Sequence, residues 1–148
     1  MALGKAAVSA TEARQLNPVT LAFVGDAVYS LYVRERLALT GVGRVADLQR
    51  TAAKVVSAQG QSAFLNKVMP LFTEEEADVF RRGKNAKKAT KSKSASSLEY
   101  NRSTGFEAVL GFLYLTGEYD RIEELLSVMD EDELKATGAD KAFKPSFL

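Results

Sequence analysis

Two stretches constrain this chain more than any other part of it. Residues 21–33 read LAFVGDAVYSLYV and residues 106–115 read FEAVLGFLYL. Each is apolar or small at nearly every position, and each carries a single charge, Asp26 in the first and Glu107 in the second. Helical punctuation surrounds both. A helix that is apolar on all faces belongs in the middle of a core. An ionised carboxylate placed there costs on the order of several kcal/mol unless it is paired or bound to a metal. Each acid also has a glycine nearby, Gly25 and Gly105, that permits close approach. Two acids sharing one cation would resolve the burial problem jointly.

Simpler readings of each acid stay open at this point. Thr104 and Glu107 have the Thr-x-x-Glu spacing of a capping box, in which the acid faces backbone N–H groups. Asp26 could pair with an arginine such as Arg102.

The remaining punctuation is that of an all-α chain. Asn17-Pro18 reads as an N-cap and first helical position, opening a helix to about residue 39 that Gly41 and Gly43 end. A second helix is expected over 45–57 and a third through 63–68, before Pro70. Thr73-Glu74-Glu75-Glu76 is a capping box for a helix running to Arg82. Residues 83–102 read as a Lys/Ser/Ala-rich loop with some helical turns. Helices over about 104–115 and 119–129 follow. The pattern predicts a single domain over 1–148, with its core at about 16–129 and a weakly ordered acidic tail at 130–148.

Composition narrows the chemistry. The chain has no cysteine and no histidine. Disulfides, thiolate metal sites, Ser-His and Cys-His nucleophiles and two-histidine hydrolysis are excluded, and a zinc site would lack its favoured ligands. Catalysis would have to run on carboxylates, lysines, tyrosines or hydroxyls, with a hard divalent cation as the natural complement. No apolar run suits a membrane span or a secretory signal, so a reducing cytoplasm is the expected location.

A formal net charge of +1 hides a strong local imbalance. Residues 81–102 hold eight basic side chains against one acid, whereas residues 118–148 hold nine acids against four bases. The cationic segment RRGKNAKKATKSKS mixes Arg and Lys with Gly, Asn and Ser, which suits phosphate contact. It has no interleaved aromatics for stacking single-stranded bases, so a duplex backbone is the better match, although a merely solvated loop has the same composition.

These residues carry a resemblance. VGDAVYSLYVR is similar to the signature stretch of the ribonuclease III family, E-R-L-E-F-L-G-D-A followed by apolar residues. TGFEAVLGFLYL resembles that family's second acidic motif, D-x-x-E-A followed by an apolar helix. Within the family the likeness is closest to the compact Mini-III branch, which has no double-stranded-RNA-binding domain. It is carried by Leu16-Asn17, Val56-Ser57-Ala58-Gln59, Phe72-Thr73-Glu74-Glu75-Glu76, Arg82-Gly83-Lys84-Asn85-Ala86-Lys87 and Tyr100 through Glu107, and it spans roughly residues 16–129. The resemblance implies an all-α, homodimeric endonuclease domain that cuts double-stranded RNA with Mg²⁺, or with Mn²⁺ in its place. Asp26 and Glu107 then match metal-site acids with a catalytic role. Three further family acids would fall at Val19, Ala22 and Thr104, so this chain has fewer carboxylates than full-length members.

With no appended binding domain, Arg82, Lys84, Asn85, Lys87, Lys88 and Arg102 are the candidate RNA contacts. The family link to ribosomal RNA maturation implies precursor large-subunit rRNA as the substrate. Two rivals remain, a catalytically silent RNA-binding or ribosome-assembly protein on the same scaffold and a helical protein–protein adaptor. Retention of both acids argues against the first, and the cationic segment argues against the second.

Overall fold

The computed structural model describes residues 5–39, 43–87 and 97–129. Every regular element among them is helical. The order is α1 (Ala10–Gln15), α2 (Pro18–Leu39), α3 (Val45–Val56), α4 (Ala58–Val68), α5 (Glu74–Asn85), α6 (Ser97–Leu115) and α7 (Tyr119–Leu126). Short 3-10 turns follow α4 at Met69–Leu71 and α7 at Ser127–Met129. The fold class expected from the sequence is the one observed. The expected tail at 130–148, Gly41, and Lys88, Lys91 and Lys93 of the basic segment lie outside the described residues.

Local chemistry accounts for most boundaries. Asn17 Oδ1 accepts from the Val19 amide at 2.8 Å, the N-cap expected before Pro18. Gly43 has φ +87°, a left-handed conformation in which glycine is unstrained. Thr73 and Glu76 form the expected capping box, with Glu76 N donating to Thr73 Oγ1 at 3.1 Å and Thr73 N to Glu76 Oε1 at 2.9 Å. Glu76 is also buried and takes two 2.8 Å hydrogen bonds from Arg121 of α7, tying the start of α5 to the far end of the chain. Ser9 and Glu12 make a second capping box that starts α1, a helix the sequence reading passed over.

Two boundaries differ from expectation. α5 continues to Asn85, and α6 begins at Ser97, seven residues before Thr104. Thr104 is therefore inside α6, where its Oγ1 donates to the Tyr100 carbonyl at 3.0 Å, so it does not cap the helix. The capping-box explanation of Glu107 falls with it.

α6 is the central helix. Every residue from Ser103 to Leu113 is buried except Glu107, which is partly buried. It packs chiefly against α2 and α5, with α4 also in contact. α2 crosses it at a backbone-to-backbone contact. A Cβ placed on Gly25 would lie 1.7 Å from the Glu107 carbonyl oxygen, and one on Gly111 would lie 1.9 Å from the Leu21 carbonyl oxygen. Gly105, noted beside Glu107 as permitting close approach, does so toward α5, since its Cβ would meet the Phe80 carbonyl at 2.7 Å.

α2 is not buried all round as its composition suggested. Leu21, Ala22, Gly25, Tyr29, Val33 and Leu37 face the core, with Tyr29 edge-on to Phe106 at 5.7 Å between ring centroids. The opposite face leaves Phe23 80% and Leu31 63% exposed, with Ala27 exposed between them. Among the described residues, no helix is long and apolar enough to cross a membrane.

Candidate active site

The glycine crossing places the two acids. Gly25 rests on the main chain of Glu107, so Asp26, one residue on, projects from α2 beside the Glu107 side chain of α6. Both line one cleft of about 430 Å³ between α2, α6 and the junction of α3 with α4. The acids differ in environment: Asp26 is exposed at the rim, whereas Glu107 is partly buried. Two buried acids were expected, and only Glu107 fits that description.

Glu107 has an altered acidity. Burial pushes its pKa up to about 8, the Gln61 hydrogen bond opposes the rise, and the adjacent Asp26 charge and carboxyl contact add to it. Neither acid makes an ion pair among the described residues. Arg102, the pairing partner considered for Asp26, donates instead to Asn66 Oδ1 of α4 at 2.8 Å.

A divalent cation suits this arrangement. Two neighbouring carboxylates with no ion pair among the described residues offer hard oxygen donors whose mutual repulsion a metal would relieve. No third acid joins them among the described residues. Val19, Ala22 and Thr104, the positions of the family's further acids, line the same cleft. The cleft thus brings the two candidate acids together, with Val19, Ala22 and Thr104 where the family motifs carry further carboxylates. Two protein ligands leave most positions on a cation for water and phosphate oxygens.

The described candidate RNA contacts, Arg82, Lys84, Asn85, Lys87 and Arg102, are dispersed, and none of these five lines the cleft. Arg82 is committed to α1, donating to the Arg14 carbonyl at 3.0 Å. Lys84 is half-buried, while Asn85 and Lys87 are exposed at the C-terminal end of α5. That end is held near the site, because Gly83 packs against Thr104, Gly105 and Ala108, the stretch of α6 that carries Glu107.

Gln61 was missed by the sequence reading. It is 1% exposed, lines the cleft, and donates from Nε2 to Glu107 Oε2 at 3.0 Å. A signal existed: Gln61 shares an i, i+4, i+7 spacing with the buried Leu65 and Val68, so it is a glutamine on the core face of α4. Tyr100 and Phe23 also line the cleft; both fall in stretches the sequence singled out, but neither was marked as a site residue.

An all-helical domain with a carboxylate pair where two central helices cross is the architecture of a ribonuclease III domain, and the model of that domain matches residues 19–118. The relatives agree. The chain is 52% identical over 111 residues to a Mini-ribonuclease 3 of Symbiobacterium thermophilum, covering 75% of this chain and 85% of that protein. It is 42% identical over 113 residues to a Mini-ribonuclease 3 of a Thermoanaerobacter species, covering 76% and 80% respectively. A crystal structure of a Fusobacterium nucleatum protein superimposes with a TM-score of 0.74 at 28% identity, covering 81% of this chain and 96% of that one. The chain belongs to the ribonuclease III family, in its Mini-ribonuclease 3 branch, a family of endoribonucleases.

Proposed function

We propose that this chain is a Mg²⁺-dependent endoribonuclease that cuts double-stranded RNA, with Mn²⁺ able to replace Mg²⁺ and with Asp26 and Glu107 holding the metal. The observation that carries the reading is the pairing of these two acids across the α2–α6 crossing, in one cleft and, among the described residues, without an ion-pair partner. When bound, a divalent cation supplies a water of lowered pKa and neutralises charge building on the phosphate. Asp26 and Glu107 would fix where that charge sits, in a cleft also lined by Val19, Ala22 and Phe23. The family pattern leaves 5′-phosphate and 3′-hydroxyl ends. The test is incubation with an RNA duplex in Mg²⁺ or in EDTA, and a protein that binds duplex but never cuts it would be the silent scaffold protein instead.

The reading extends to assembly and substrate. We take the chain as one catalytic domain, supported by one cluster of buried apolar residues running from Ala13 to Leu126. The exposed stripe of Phe23, Ala27 and Leu31 recurs every four residues along one face of α2, and a second copy of the chain is its proposed cover. Sedimentation at micromolar concentration should give twice the chain mass, and Leu31→Lys should shift the protein to monomer. A clean monomer that still cuts both strands would refute the dimer. Precursor large-subunit rRNA, met in the cytoplasm, is the proposed natural substrate.

RNA grip is assigned to the basic segment that begins in the last turn of α5. Each phosphate neutralised contributes about 0.7–0.9 to the slope of log affinity against log salt. Replacing Lys84, Lys87 and Lys88 together with alanine should therefore flatten that slope by roughly two to three units. Cleavage at saturating RNA should change much less. The measurement is duplex binding by Asp26→Asn protein, with and without the triple change, across a salt series. An unchanged slope would move the grip elsewhere, to Arg50, Lys54 or Arg102.

A further inference from the structure

Gln61 is a polar side chain at a place where packing alone calls for an apolar one. It is 1% exposed, on the face of α4 that carries Leu65 and Val68. A buried amide with incomplete hydrogen bonding costs stability, and an apolar side chain of the same length would not. Nε2 is well used, donating to the Val56 carbonyl at 2.9 Å and to Glu107 Oε2 at 3.0 Å. Oε1 is buried with no hydrogen-bond partner among the described residues. The amide cannot simply turn over, because its oxygen would then face the Val56 carbonyl, which has no proton to donate. One half of the side chain is thus left unsatisfied so that the other half can reach Glu107.

We propose that Gln61 is a positioning residue for the metal site, tying one carboxylate oxygen of Glu107 to the main chain of Val56 so that Glu107 is already oriented to share a cation with Asp26. The inference rests on the reading of Asp26 and Glu107 as metal ligands. A glutamate has three side-chain torsions, and ordering them costs affinity if it happens only when the cation arrives. A site with two protein carboxylates has few other contacts to offset that cost, so orienting one ligand in advance matters more. The bond also spans the cleft, linking the end of α3 and the first turn of α4 to the middle of α6.

The test uses the full chain in four forms: unmodified, Gln61→Met, Gln61→Asn and Glu107→Gln. Methionine keeps the length and loses the donor, while asparagine keeps the amide and loses the reach. Mn²⁺ binding is followed by electron paramagnetic resonance, Mg²⁺ dependence by duplex cleavage, and folding by thermal melts in EDTA. Both Gln61 variants should bind Mn²⁺ about 10- to 100-fold more weakly, the usual effect of losing such a ligand-orienting partner. The half-saturating Mg²⁺ concentration should rise by the same factor, while the rate at saturating Mg²⁺ stays close to that of the unmodified protein. Lower melting temperatures with an unmoved metal midpoint would mean Gln61 only packs, and would overturn the proposal. If neither variant folds, the Gln61 side-chain amide resonances of the unmodified protein should shift with Mg²⁺ at the metal-binding midpoint, and stationary resonances would equally overturn it. An unmodified chain that binds no Mn²⁺, or a Glu107→Gln chain that binds it as tightly, overturns the metal reading itself and this inference with it.

Discussion

Asp26→Asn and Glu107→Gln should each lower duplex cleavage by about 10³-fold or more, because several kcal/mol of transition-state charge stabilisation depends on the metal and each 1.36 kcal/mol is a factor of ten. Duplex binding should survive, since neither acid contacts RNA as a cation would. Stability should move in an unusual direction. In EDTA the folded protein holds a proton on Glu107 up to about pH 8, whereas an unfolded chain releases it near 4.5. Between those values the folded state binds more protons than the unfolded state, so stability falls as pH rises and levels off above about 8. The contribution is fully present below pH 4.5 and amounts to a few kcal/mol at most by order of magnitude. Glu107→Gln imitates the neutral carboxyl, so its melting temperature should lose this dependence and exceed that of the unmodified protein at pH 8. Asp26→Asn removes one of the two contributions by which Asp26 raises Glu107, its charge, and should narrow the pH window over which stability falls. Cleavage at the unmodified rate by either variant would refute the assignment, and an unmodified melt that is flat from pH 5 to 8 would refute a buried, protonated Glu107.

The second large effect is structural. Gly25→Ala should lower the melting temperature by roughly 10 °C or more, or prevent folding, on a scale of about 3–4 °C per kcal/mol for a chain of this size. The added Cβ would sit 1.7 Å from the Glu107 carbonyl oxygen, and that atom belongs to a buried helix backbone with no rotamer to move into. α2 and α6 would have to separate along their whole contact. Gly111→Ala meets the Leu21 carbonyl at 1.9 Å and should behave alike. Any Gly25→Ala protein that folds should be less active than its folded fraction predicts, because the displaced main chain is that of Glu107. A melt within 2 °C of the unmodified protein would show that the helices are not locked at this point.

Much of this protein was legible in local chemistry. The start of α2 at Asn17-Pro18, its end before Gly43 and the Thr73–Glu76 capping box are written in residues whose effects act within one turn, so no distant partner was needed to read them. The isolation of Asp26 and Glu107 in apolar helices identified the candidate acids for a similar reason: a lone charge in an apolar run is costly wherever the run ends up. Alongside its motifs, the chain's lack of cysteine and histidine then narrowed the chemistry to carboxylates.

Tertiary structure decided the rest, and it did so through contacts between residues far apart in the chain. Sequence by itself determined that the chain is helical, that α6 belongs in the core, and which two acids could act together. Only the packed structure decided that Glu107 is the buried acid and Asp26 the exposed one, because burial depends on which neighbour covers each face. Gly111 is the partner of Gly25 because the two lie where α2 and α6 cross, while Gly105 gives its close approach to α5. The sequence marked Arg82 and Arg102 as candidate RNA contacts, and only the fold shows their acceptors within the protein, Arg14 and Asn66, 68 and 36 residues away. Gln61 reaches Glu107 across 46 residues, a separation at which no local pattern carries information and only the meeting of α4 with α6 creates the bond.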